Sequence, residues 1–237
     1  MSEQRVGEPV DTRPAELPQR VPLVGRYVDV VPVDARVHGD DLYAAATAPG
    51  SETIWTYLSI GPWPDRASFD AWLAQYERSR DPFPYALVDK ASGKALGMAT
   101  YMRIEPVHRV IEVGSIWYSP ALQRTRQATE AMYLMAKNAF ENLRYRRYEW
   151  KCNAFNEASK RAAVRLGFTY EGLFRQHMIA RGRNRDTAWF SMLDREWPAR
   201  RAGFERWLAP ENFDAEGRQR TPLDVWGGKR PELPPIP

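Results

Sequence analysis

The 237-residue chain has one cysteine, Cys152, and three histidines, His38, His108 and His177. A single thiol excludes an intramolecular disulfide and a thiolate metal cluster. The histidines lie far apart and lack the spacing of metal ligands, so no metal is expected. No stretch approaches the roughly eighteen consecutive apolar residues of a membrane span. The N-terminal segment MSEQRVGEPVDTRPAELPQR carries charges and prolines where a signal peptide needs an apolar core. There are no internal repeats. These absences predict a soluble, cytoplasmic protein. A hydrophobic fraction of 43% and an aromatic fraction of 12% supply one sizeable core.

The net charge of +4 is unevenly placed. Between Arg124 and Arg185 there are 14 lysines and arginines against 5 glutamates and no aspartate. A basic segment in an otherwise slightly acidic chain suits a particular anionic ligand better than bulk nucleic-acid affinity. For any one arginine, a solvated helix face is the simpler account.

Residues 1–20 have too few apolar side chains to pack and read as a flexible arm. A domain over 21–209 follows. Val24–Val33 reads as a strand, and Asp40–Ala48 and Ser51–Leu58 as short helices. Asp65 then precedes an amphipathic helix with Phe69, Trp72, Leu73 and Tyr76 on one face. Phe83–Asp89, Ala95–Ile104 and His108–Tyr118 form an antiparallel meander. A helical pattern to about Leu143 leads to a strand, Arg147–Asn153. Asn156 caps a helix that stops at Gly167. Strands Phe168–Ile179 and Thr187–Leu193 flank a turn at residues 181–185, and Glu196–Leu208 is a last helix. The tail, residues 210–237, is proline-rich (Pro231, Pro234, Pro235, Pro237), with Trp226 as a candidate anchor. The order predicts a single α/β domain with a mixed, mostly antiparallel sheet. Trp197, Trp207, Phe213 and Trp226 complete its core or form a dimer face, and a homodimer is the favoured expectation.

Within this order Glu112–Thr129 stands out. The β-forming run Val110–Tyr118 is stopped by Pro120, and the polar loop Gln123-Arg124-Thr125-Arg126-Gln127 precedes a helix with Ala128, Met132, Met135 and Ala139 on one face. A strand, a tight loop and a helix start present free N–H groups and the positive end of a helix dipole, which suits a phosphate.

The order of elements, with these residues, resembles the GNAT superfamily of CoA-dependent N-acyltransferases, and within it the RimJ/RimL-like branch, over roughly Pro22–Trp197. The superfamily's pyrophosphate loop reads Gln or Arg, two residues, Gly, one residue, then Gly or Ala. Gln123 and Ala128 match it, while Arg126 stands in the place of the first glycine and could itself contact phosphate. Asn156-x-x-Ser159 and Leu166-Gly167-Phe168 are the second match. Many relatives place a tyrosine acid one turn beyond the position of Ser159; here that residue is Ala163.

The resemblance implies a sheet splayed between its fourth and fifth strands, those ending at Tyr118 and Asn153, with helices on both faces. It implies acetyl-CoA or another short acyl-CoA as co-substrate. Gln123, Arg124, Thr125, Arg126, Gln127, Ala128 and Thr129 would hold the pyrophosphate. Backbone at Trp117 and Tyr118 would lie against the thioester, and Asn153, Asn156 and Ser159 would line the pantetheine arm. The implied reaction is direct attack of a neutral amine on the thioester carbonyl. Gly114 fits the bulge that opens the gap.

For the base, Glu112 is the first candidate, with Val110, Val113 and Ile116 expected to make its surroundings apolar; His177 is the other. Ser159 is the candidate for steadying the thiolate. Cys152 lacks a positioned histidine and reads as a packing residue. Trp55, Tyr57, Trp63, Trp72, Trp117 and Trp189 offer an aromatic acceptor groove, although most suit a core equally well. The acceptor stays open between a protein N-terminus and a small-molecule amine. A catalytically inactive CoA-binding or nucleic-acid-binding module on the same fold is the alternative, supported by Arg126 and Ala163.

Overall fold

The computed structural model describes residues 4–233. The first three residues of the arm, and Pro234, Pro235 and Pro237 of the tail, lie outside the described residues. The chain runs β1 (Leu23–Val24), β2 (Val28–Pro32), α1 (Ala35–Ala46), α2 (Arg66–Tyr76), β3 (Phe83–Asp89), β4 (Ala95–Glu105), β5 (Val110–Tyr118), α3 (Arg126–Lys137), β6 (Arg147–Asn153), α4 (Glu157–Arg165), β7 (Thr169–Ala180), β8 (Arg183–Leu193) and α5 (Trp197–Leu208). The strands form one sheet in the order β1-β2-β3-β4-β5-β6-β8-β7. Every pairing is antiparallel except β5 with β6. The splay expected between a fourth and a fifth strand falls between β5 and β6, because β1 and β2 were read as one strand.

Alternation along the strands sends residues to two helical layers. Tyr85, Tyr101, Ile111, Val113, Tyr148 and Phe190 pack under Met132, Met135, Val164, Trp197 and Phe204 of α3, α4 and α5. On the other face Ala86, Met98 and Trp117 pack under Leu42 of α1 and Phe69 and Leu73 of α2. This second layer covers only the β2–β4 half of the sheet and part of β5.

Three local readings differ from the structure. The first helix begins at Ala35, not Asp40, because the Asp34 carboxylate accepts the N–H groups of Arg36 (2.9 Å) and Val37 (3.3 Å). Residues 51–58 contain a single 3₁₀ turn, Glu52–Thr56. β8 begins at Arg183, because Arg181 (φ 50°) and Gly182 (φ 72°) alone make the hairpin turn. Two consecutive positive φ angles are what a two-residue hairpin with the sheet's own twist demands.

Glu130, buried on α3, accepts the N–H groups of Arg26 (2.8 Å), Tyr27 (2.6 Å) and Val28 (3.0 Å), clamping the β1–β2 turn onto that helix. Gly25 sits so close to this carboxylate that a Cβ would collide with it. The second half of the arm also has partners: Ala15 N–H donates to Pro106 O at 3.0 Å and Glu16 N–H to Leu143 O at 2.9 Å. In the tail Phe213, Leu223 and Val225 are buried, and Trp226 Nε1 donates to Val164 O at 2.8 Å. The aromatics considered for a dimer face are thus used inside the chain.

Candidate active site

β5 and β6 pair from Val110↔Arg147 to Val113↔Trp150 and then part, although β5 continues to Tyr118 and β6 to Asn153. β5 carries an extra residue where the register to β4 passes from Thr100↔Gly114 to Met98↔Trp117, with Ser115 at φ 47°. This bulge bends β5 away from β6. Both strands end at helix N-termini, the usual position of a crevice in such sheets.

On the α3 side lies the loop Gln123–Thr129. Thr125 caps α3, its hydroxyl accepting from Ala128 N–H at 3.2 Å. Gln123 Nε2 donates to Tyr118 O (3.1 Å) and Gln127 Nε2 to Asp89 Oδ1 (3.0 Å). These bonds pin the side chains. Among the described residues, the backbone N–H groups of Arg124, Thr125, Arg126 and Gln127 have no protein acceptor. The Arg126 guanidinium lies over the Tyr27 and Phe213 rings. Sequence reading missed Arg165 of α4, which donates to Thr129 Oγ1 at 3.1 Å. Burial, with Arg230 nearby, pulls its pKa below the ordinary guanidinium value.

On the α4 side the Asn156 carboxamide caps the helix by accepting Ser159 N–H at 3.0 Å, and Asn153 Oδ1 accepts Phe155 N–H at 2.9 Å. The Ser159 hydroxyl accepts from Trp150 Nε1 at 3.0 Å. Burial pushes the neighbouring Cys152 thiol up to about 11. Such a thiol stays protonated and inert near neutrality.

The opposite face of the sheet is built from charge. Glu112 is 2% exposed. Its carboxylate meets Arg103 Nη1 at 2.6 Å and Lys151 Nζ at 2.9 Å. The same ammonium reaches Glu149 at 2.6 Å, and Arg147 joins Glu149 (2.6 Å) to Glu171. The apolar surroundings expected for Glu112 are therefore not what it has. Val113 points to the other face, into the α3 core, and the Glu112 carboxylate is held by two cations. Lys151 lies 3.9 Å from the Trp189 ring centroid, Phe174 stacks on Trp189 at 4.3 Å, and His177 Nδ1 is 3.0 Å from Thr187 Oγ1. Burial, then Arg103, Arg185 and Lys151, lower the His177 pKa, with Glu112 opposing them.

Of the aromatic groove, Trp55, Trp63, Trp72 and Trp117 form one cluster under α2, with Tyr76 stacked on Trp72 at 4.8 Å. Trp189 stands apart on β8. Arg181, at the β7–β8 turn, donates to the carbonyls of Ile60 (3.0 Å) and Gly61. The hairpin is thereby tied across to the segment between α1 and α2.

Glu112 and Ser159 thus sit on opposite faces of the sheet, with the open end of the β5–β6 pair between them. Trp117 Nε1 and Ser119 Oγ, at the free end of β5, are buried without a hydrogen-bond partner among the described residues. Unpaired N–H groups at a capped helix start, a parted parallel strand pair and orphaned polar atoms beside it fit an acyl-CoA. Among the described residues no group of three His, Cys, Asp or Glu side chains could hold a metal ion.

A mixed sheet opened at one parallel pair, with a loop of free N–H groups on one face and a polar cleft on the other, is the arrangement that the resemblance to acyltransferases implies. The profile of the acetyltransferase (GNAT) domain matches residues 34–169, and the chain belongs to that family. A GCN5-related N-acetyltransferase structure from Brucella melitensis is 49% identical, with a TM-score of 0.87, covering 89% of this chain and 96% of that one. Two curated relatives have ribosomal names, on the RimJ/RimL-like side of the family. YdaF of Bacillus subtilis (strain 168), provisionally named a ribosomal N-acetyltransferase, is 30% identical over 105 residues, 44% of this chain. The ribosomal-protein-serine acetyltransferase of Escherichia coli (strain K12) is 28% identical over 81 residues, 34% of this chain. The matched regions span 57% and 45% of those two relatives' lengths.

Proposed function

We propose that the protein transfers an acetyl or other short acyl group from acyl-CoA to a primary amine, by direct attack while both substrates are bound. The observation that carries this reading is the parting of β5 from β6 beyond Val113↔Trp150, with the free N–H groups of Arg124–Gln127 on one side and the Glu112 cleft on the other. In this reading the loop N–H groups and the α3 dipole hold the pyrophosphate, and Asn153, Asn156 and Ser159 border the pantetheine arm. Bound acyl-CoA supplies the activated carbonyl. Backbone N–H groups on the unpaired edge of β5 near Trp117 and Tyr118 polarise that carbonyl oxygen.

Glu112 takes the acceptor's proton through a water, and the Ser159 hydroxyl steadies the departing sulfur. The inert Cys152 argues against an acyl-enzyme. The relatives' names favour a protein acceptor over a small-molecule amine.

Thiol release from acetyl-CoA, measured over a panel of N-terminal peptides and small amines for wild type and Glu112→Gln, tests catalysis. Binding of acetyl-CoA without turnover on any amine would favour a non-catalytic module. Failure of acetyl-CoA to raise the melting temperature sinks the reading altogether.

A further inference from the structure

Arg185 lies on β8 in the same alternation as Thr187 and Trp189, so it faces the charged cleft. The other cations there all have carboxylates: Arg103 with Glu112, Lys151 with Glu112 and Glu149, Arg147 with Glu149 and Glu171. Arg185 has none within ion-pair distance among the described residues, and its buried Nε has no hydrogen-bond partner. The cleft therefore holds four cations to three carboxylates. Arg185 as a whole is half-buried, but a guanidinium whose Nε is sealed from water without a partner is costly, and a bound anion reduces that cost.

Beside it, Phe174 is 48% exposed and stacked on Trp189, which leaves an apolar platform open to solvent. The positive field has a second effect. Burial first, then Arg103, Arg185 and Lys151, disfavour a proton on the nearby His177 imidazole against the opposing pull of Glu112, and the same cations would act in that direction on an acceptor amine, which must be neutral to attack.

We propose that Arg185 recognises the acceptor, and that the acceptor is an amine carrying a carboxylate a few bonds from its nitrogen, as in a free amino acid or an acidic N-terminal residue. This rests on the acyltransferase reading for the identity of the cleft as the acceptor site. A guanidinium fork matches a carboxylate in geometry as well as charge, which an amide cannot replace.

The test is binding to the acetyl-CoA-loaded full chain, followed by tryptophan fluorescence, of isosteric pairs. One pair is the tripeptide amides Asp-Ala-Ala and Asn-Ala-Ala; the other is β-alanine and β-alaninamide. The acid member of at least one pair should bind about tenfold or more tighter, the effect of one charge-assisted bond, and which pair shows it separates peptide from amino acid. Arg185→Gln should erase the preference and Arg185→Lys should keep part of it. Equal binding of acid and amide by wild type in both pairs overturns the proposal, as does a preference that survives in a folded Arg185→Gln. If Arg185→Gln does not fold, the wild-type comparison and Arg185→Lys decide. Thiol release is followed in the same samples. Its absence with the acid preference intact would fail the catalytic reading alone.

Discussion

The Arg126 guanidinium sits 4.2 Å from the ring centroid of Tyr27, and 5.2 Å from that of Phe213. The residue that departs from the family's glycine pattern thus directs its side chain into packing between the first hairpin and the tail. Its backbone has no positive φ, so the position does not call on glycine's conformational freedom. Its N–H stays free for a ligand. Arg126→Ala is expected to cost about 1–2 kcal/mol through the lost cation–π contacts, read by denaturant unfolding. Acetyl-CoA affinity should stay within about threefold, less than 1 kcal/mol. A fiftyfold loss would instead put the guanidinium on the phosphate.

Glu112→Gln leaves Lys151 with one carboxylate and Arg103 with none. Breaking a buried pair costs about 3 kcal/mol, and loss of a general base lowers kcat by about a hundredfold. The two effects can be separated. Adding Arg103→Met removes the stranded guanidinium and should return part of the melting temperature while kcat stays low. A single variant with kcat within threefold of wild type would reassign the proton to another group, with His177 next in line.

Cys152 makes a pH prediction. Its thiol is raised by burial from 9.0 to about 11. Below pH 9 both folded and unfolded thiols are protonated and the group contributes nothing. Between pH 9 and 11 the unfolded chain ionises first and is favoured, so stability falls as pH rises through this window. Cys152→Ala should flatten that fall by up to about 2 kcal/mol, measured as the difference in unfolding free energy between the two proteins at pH 8 and 10.5. Its kcat at pH 7.5 should stay within a few fold of wild type. Abolished turnover would reopen the acyl-cysteine route.

Trp226→Ala should destabilise the domain although it lies far along the tail. It removes the bond to Val164 O and the stacking of the Arg200 guanidinium, 3.7 Å from the ring centroid. About 2–3 kcal/mol is expected, with a matching drop in melting temperature. A change within 0.5 kcal/mol would mean the tail is not part of the folding unit.

The elements with strong periodicity were legible. Phe69 and Leu73 marked α2, Asp65 its cap, and Asn156 and Gly167 the two ends of α4. What escaped depended on register. Arg147, Glu149 and Lys151 alternate along β6 as an exposed polar face would. Only the parallel pairing that sets Glu112 opposite Glu149 turns them into a buried ionic chain. Arg185 was read as a turn residue because arginine and asparagine surround Gly182, yet the turn needs two residues and Arg185 falls in the strand. Nothing in the side-chain pattern of α3 singles out Glu130. Its three partners are backbone N–H groups about a hundred positions earlier, which no side-chain pattern records.

That carboxylate has a consequence for how the chain is made. The bonds from Glu130 to Arg26, Tyr27 and Val28 close loops of 104, 103 and 102 residues. During synthesis, the first hairpin has no acceptor for these N–H groups until Glu130 itself has left the ribosome. Contacts of such separation are slow to form, so the N-terminal edge of the sheet is an open edge in the nascent chain. The clamp comes from the same helix that follows the Gln123–Thr129 loop, and docking of the first hairpin and formation of that loop should therefore arrive together.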